Sequence, residues 1–348
     1  MAPAVDVVIL HVDAPADAGG LTRATAAARL DNAERHRTGF LAAGASRADV
    51  IAGAPDGRSF GVRLRDLLAE IGGGLVILGS GAIPLATALD RRELVAAAAS
   101  EVPKALTNNR YSADVIAVSR ARSLIKDLPD LQTDNALPRW LEEVAGVPVE
   151  DRRTRRRLGI DIDGPLDLVL LGDRWTSALD ADDVERVVAS LERIGRVTAD
   201  RGGELVVAGR VSATNLAWLE SHTQSRTRAL VEERGLRTRR AGQRPAASVL
   251  GALLDRDGPG SLGDHLALLA DAAIVDTRVL LAHRFGAEGA AWPIAEDRFA
   301  SDLLLADRIN DPWLQELTTS AADARIPVVL GGHTLVGPGL PLALGRPR

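Results

Sequence analysis

Short apolar runs alternate with stretches of helical spacing along this chain. VDVVIL at 5–10, ADVIA at 48–52, GLVILG at 74–79, DVIAV at 114–118 and GIDID at 159–163 read as strands. Between them, 21–44, 60–71, 87–100, 119–126 and 135–145 carry helical patterns, and APDG at 54–57 reads as a turn. Alternation of this kind predicts a parallel or mixed sheet covered on both faces. The composition shifts over 172–182, which predicts a boundary between a domain at 1–173 and a second at 174–348. The second half repeats the logic, with strands at 204–209, 272–276 and 326–330. Its helices are expected at 181–200, 213–220, 263–271, 297–306 and 312–324. The fold class predicted is α/β: a mixed-sheet domain followed by a second α/β domain.

Composition sharpens this picture in a few places. Aromatic residues are 3% of the 348, so the cores must be built from Ala, Val, Leu and Ile. A net charge of −5 argues against a general nucleic-acid partner, which needs a broadly basic face. The absence of cysteine removes disulfides, thiolate metal sites and a thiol nucleophile, and fits a cytoplasmic protein. The apolar run at 7–10 is short and flanked by Asp6 and Asp13, unlike a signal peptide. No run reaches the ~18 apolar residues of a membrane helix, and Asp271 interrupts the nearest, at 266–275, so no membrane partner is expected.

Several clusters carry candidate chemistry. Asp161 and Asp163 lie two apart on the expected strand, so both project from one face. Two carboxylates at a strand's C-terminal end suit Mg²⁺; alternatively Asp163 caps the helix that Gly164 and Pro165 begin. Asn108 and Asn109 sit in an unusually polar lead into a strand, as pocket residues or as turn formers. The basic run DRRTRRR at 151–157 either approaches phosphate or forms a solvated face. In the second half Arg210, Arg278, Asp297, Arg298 and His333 could meet in one pocket. Gly331-Gly332-His333 follows a strand, where open α/β sheets bind ligands. There is no Gly-x-Ser-x-Gly elbow, Walker loop or His-Glu-x-x-His zinc motif.

The first strand, GRSFGVRL at 57–64, GSGAIPL at 79–85 and DIDGPLDL at 161–168 follow in an order that resembles the GT-A-like nucleotidyltransferases. The likeness covers about 5–172 and is nearest to the 2-phospho-lactate guanylyltransferase group, with molybdenum-cofactor guanylyltransferases more distant. It implies a GT-A-like, Rossmann-like domain that transfers a nucleotidyl group from an NTP to a small phosphorylated or carboxylated acceptor with Mg²⁺. It assigns Asp161 and Asp163 to metal, and Gly19, Gly20, Arg23 and Arg63 to the nucleotide phosphates. Asn108 and Asn109 would contact base or acceptor. Two departures stand out. The loop after the first strand carries Asp13 and Asp17, which repel phosphate. Gly81 stands where the family has its second metal-binding Asp. Losing one metal carboxylate removes several kcal/mol of charge stabilisation, or ~10³ in rate. The alternatives are therefore a degenerate nucleotide- or metabolite-binding protein, and an activity in the second domain around Gly331–His333. Under the metal reading, Gly81→Asp should strengthen Mg²⁺ binding.

Overall fold

The computed structural model describes residues 3–54, 57–124, 126–234, 236, 244–287 and 289–345. Pro55 and Asp56 of the expected turn, and Ile125 of the helix expected at 119–126, lie outside the described residues. Among the described residues the chain is a mixed α/β protein with two sheets, one mixed and one parallel. It divides into two compact units. One holds the residues up to Asp17 together with Ala26–Ile162; the other holds Ala18–Thr25 and the chain from Asp163 onward.

The first unit is built on six strands: β1 (Val5–Val12), β2 (Arg47–Gly53), β3 (Gly74–Gly79), β4 (Ala105–Thr107), β5 (Val115–Val118) and β6 (Val149–Asp151). Their order is β2-β1-β3-β5-β4-β6. β1 runs parallel to β2 and β3, β4 runs parallel to β6, and β5 is antiparallel to both its neighbours. Successive side chains on a strand face opposite ways. Val7, Ile9, Val76 and Leu78 accordingly join Phe40 and Leu94 in one core. Val8, Leu75 and Ile77 join Leu64, Leu68 and Trp140 in the other. Both faces are covered, which is why these strands read as unbroken apolar runs.

The second unit carries a four-stranded parallel sheet: β7 (Glu204–Gly209), β8 (Arg226–Val231), β9 (Ala272–Asp276) and β10 (Val328–Gly331). The order is β10-β9-β7-β8, so the winding reverses between β7 and β9. One core unites Val206, Ile274 and Leu330 with Val187, Leu219, Leu266 and Leu317 from the helices. No helix among the described residues is long and apolar enough to cross a membrane.

Some elements differ from the sequence pattern. The run at 159–163 is not a strand; it contributes one antiparallel bridge, Ala82 to Asp161, after a 3-10 turn at Arg156–Gly159. The segment after β5 forms a 3-10 turn at Ala121–Leu124 instead of a helix. β4, β6, β8 and the helices Val249–Asp257 and Thr277–Phe285 were not evident from the pattern. β8 is an edge strand whose Arg226 and Arg228 reach Glu204 of β7.

Candidate functional site

In the first unit the chemistry gathers on the loop after β3. Ser80 N donates to Leu10 O at 2.8 Å, tying the loop to β1. Three side chains of the helix Gly20–Ala42 lie at spacings i, i+3 and i+7, which share one face. Asn32 Nδ2 donates to Ser80 O at 2.8 Å and to Ala82 O at 3.0 Å. His36 Nε2 donates to Ala82 O at 2.9 Å, and its Nδ1 accepts from Arg91 Nε at 3.3 Å. Arg29 Nε donates to Ile162 O at 2.6 Å. Burial, with Arg91 next in weight, pushes His36 down to about 3, so the ring is neutral and its two nitrogens play the two roles just described. Held this way, the loop sustains a non-glycine residue, Ile83, at φ 42°.

Gly81 sits at the centre of this arrangement. Its carbonyl accepts from Ile162 N at 3.1 Å. A Cβ built on Gly81 would stand 2.7 Å from Asp161 Oδ1, 2.9 Å from Ile162 O and 3.4 Å from Arg29 Nε. The space a second carboxylate would need is thus filled by the first carboxylate and bordered by a guanidinium. Among the described residues no group of three or more His, Asp or Glu is placed to hold a metal ion. Asp161 belongs to the first unit and Asp163 to the second. The Asp163 N–H donates to Asp167 Oδ2 at 2.7 Å, as does Gly164 N at 2.8 Å. Asp167, not Asp163, is therefore the carboxylate that closes the start of the helix Pro165–Leu171.

His11 ends β1 beside the same loop. Its Nδ1 lies 3.0 Å from Ser80 Oγ, and its Nε2 lies 3.7 Å from Asp13 Oδ1. Burial lowers the His11 pKa first; Asp13 opposes this and Arg29 adds to it. Both His11 and Ser80 are buried, but Gly79 beside them is exposed and a Cβ there would meet nothing within 4 Å. Sequence reading singled out neither His11, Ser80, Asn32, His36 nor Arg29.

The other first-unit candidates are mostly committed to structure. Asn108 Nδ2 donates to Asp114 Oδ2 and Leu158 O, and its Oδ1 accepts from Asp114 N at 3.0 Å, so its amide braces the fold. Asn109 is half-buried and accepts from Tyr111 N at 3.0 Å. Arg63 is half-buried in the first turn of the helix Phe60–Glu70. The basic run meets acids from the helix Ala88–Ala98. Arg157 clamps Asp90 with two bonds of 2.9 and 2.7 Å, Arg155 reaches Asp90 and Glu93, and Arg152 reaches Glu93. Burial alone would raise Asp90; bonds from Arg157 and Thr87 instead hold it well below the usual carboxylate range.

In the second unit, Gly19 and Gly20 open the helix whose first free N–H groups are Leu21 and Thr22. The Glu296 carboxylate accepts from Leu21 N at 3.0 Å, Thr22 N at 2.9 Å and Thr22 Oγ1 at 2.8 Å. A side chain on Gly19 would run into it. Arg23 turns back to Ala18 O. The anion position at this helix start is therefore filled by a side chain of the protein itself.

The reversal between β7 and β9 collects a second group. Arg210 grips Asp276 with Nε–Oδ2 at 2.6 Å and a second bond of 3.0 Å. Arg278 grips Asp302 and donates to Thr277 Oγ1. Burial would raise Asp276, but Arg210, then the charges of His333 and Arg278, hold it low. His333 is exposed after Gly331-Gly332. Arg210, Arg278 and His333 thus all act on Asp276. Asp297 is spent on Asn310 and Asp311 N, and Arg298 on Pro293 O and the Trp292 face. Comparison with models of known protein families and with curated proteins finds no match to this chain.

Proposed function

We propose that the chain is a catalytically degenerate relative of the GT-A-like nucleotidyltransferases that binds a nucleotide or related metabolite without metal-dependent transfer. The observation that carries this reading is Gly81, packed against Asp161 and Ile162 O with Arg29 beside it. Mg²⁺ sites favour carboxylate oxygens and repel fixed cations. One carboxylate next to a guanidinium does not suit that ion. The mixed sheet with its single antiparallel strand β5 supports the α/β half of the resemblance. The Glu296 carboxylate at the Leu21–Thr22 helix start also supports degeneracy, because phosphate would have to displace it.

Calorimetric titration with GTP and ATP, in Mg²⁺ and in EDTA, tests the proposal together with an assay for pyrophosphate. Metal-independent binding with no pyrophosphate is the expected result. Mg²⁺-dependent turnover would instead favour an active transferase. A second reading places ligand binding at the β7–β9 reversal, because open parallel sheets bind ligands at such switch points. It predicts that Arg278→Ala, and no first-unit variant, abolishes ligand protection against thermal unfolding.

A further inference from the structure

We propose that Ser80, His11 and Asp13 form a nucleophile relay able to carry acyl transfer from small carboxylic esters. This goes beyond the nucleotide-binding reading and stands on different atoms. The requirement for an activated serine is a base within hydrogen-bond reach and a third group that orients the base. Ser80 Oγ lies 3.0 Å from His11 Nδ1, and Asp13 Oδ1 lies 3.7 Å from His11 Nε2. With the proton on Nε2, facing Asp13, the Nδ1 lone pair faces the Ser80 hydroxyl. The three residues come from the ends of β1 and β3, at the C-terminal edge of the sheet, where open α/β sheets bind ligands. The serine is flanked by Gly79 and Gly81, and Gly79 is exposed. The backbone N–H of Gly81 follows the nucleophile directly, where acyl-transfer sites take one oxyanion donor.

The chemistry balances without a metal or redox partner. Ser80 Oγ bonds to the ester carbonyl carbon while its proton passes to His11 Nδ1. The C–O bond to the alcohol breaks, and the alcohol leaves with that proton. Water then attacks the acyl-serine, giving its proton to His11, and the acid departs as Ser80 recovers its own. Ser80 and His11 touch the reacting atoms; Asp13 is a positioning residue. The charged groups acting on His11 are Asp13, which raises its pKa, and Arg29, which lowers it.

The test is covalent labelling of the full chain with diisopropyl fluorophosphate, read by peptide mass spectrometry. In that reaction Ser80 Oγ bonds to phosphorus, the P–F bond breaks and fluoride leaves, with the proton taken by His11. The relay predicts a single adduct on Ser80, absent in Ser80→Ala. His11→Gln should label about 10²-fold more slowly, the contribution of a positioned base, with its folding checked by circular dichroism. Asp13→Asn should move the rising limb of the labelling-rate profile to lower pH and lower its plateau, which loss of a surface contact alone would not do. An unlabelled Ser80 in the wild type, an adduct only elsewhere, or a His11→Gln rate equal to wild type each overturns the proposal. None of these outcomes depends on nucleotide binding, so the two readings fail separately.

Discussion

His36 is wholly buried, neutral and bonded at both ring nitrogens beneath the loop that holds Gly81. Its folded pKa of about 3 lies below the unfolded value near 6.5. The native state therefore binds fewer protons, and the stability this residue supplies is complete above pH 6.5 and lost as pH falls toward 3. Between pH 7 and 4 the loss is roughly 3 kcal/mol, at 1.36 kcal/mol per pH unit. Urea melts at pH 7 and 4 should show it, and His36→Gln should flatten the difference between them. Gly81→Asp must push Asp161 aside, so we expect a loss of about 1–3 kcal/mol, as for other overpacked sites, and no gain in Mg²⁺ affinity. A variant of native stability that binds Mg²⁺ more tightly would contradict this.

At the scale of elements, the helix Ala88–Ala98 is held at its start by a capping box between Thr87 and Asp90. Asp90 also receives Arg155 and Arg157, so one buried carboxylate serves the cap and anchors the basic run. Asp90→Ala should cost about 3 kcal/mol, the lower end of the range for breaking a buried pair, because two guanidinium groups lose their anchor. Chemical denaturation checks it. Much of this scale is legible in sequence. β1, β3, β7 and β9 are buried on both faces and read as apolar runs. β8 alternates Arg with small residues because it is a half-exposed edge, and three-residue strands such as β4 and β6 leave no periodicity to read. The site was less legible. Arg29, Asn32 and His36 have helical spacing, but the surrounding Ala and Arg residues give their helix almost no apolar contrast. His11 and Ser80 meet only because β1 and β3 pair in register, a fact no local window contains. Asn108 was legible as a special residue; in the fold its amide bonds Asp114 and Leu158 O.

At the scale of the molecule, each unit gathers its polar groups at strand ends. In the second unit the Arg210–Asp276 pair joins β7 and β9 across the reversal of winding. Both side chains are buried, so Asp276→Ala should destabilise by about 3–5 kcal/mol through the stranded guanidinium. Double replacement of Arg210 and Asp276 by apolar residues should cost less, and unequal costs in that order would show the pair is a shared charge balance. In the first unit, the Asp161 carboxylate, bordered by the Arg29 guanidinium, fills the space where the resemblance expects a second metal carboxylate. The most direct test of that claim is calorimetric titration of the wild-type chain with GTP in Mg²⁺ and in EDTA, followed by measurement of pyrophosphate. The account predicts the same affinity in both buffers and no pyrophosphate. Binding that appears only with Mg²⁺, accompanied by pyrophosphate release, would contradict it.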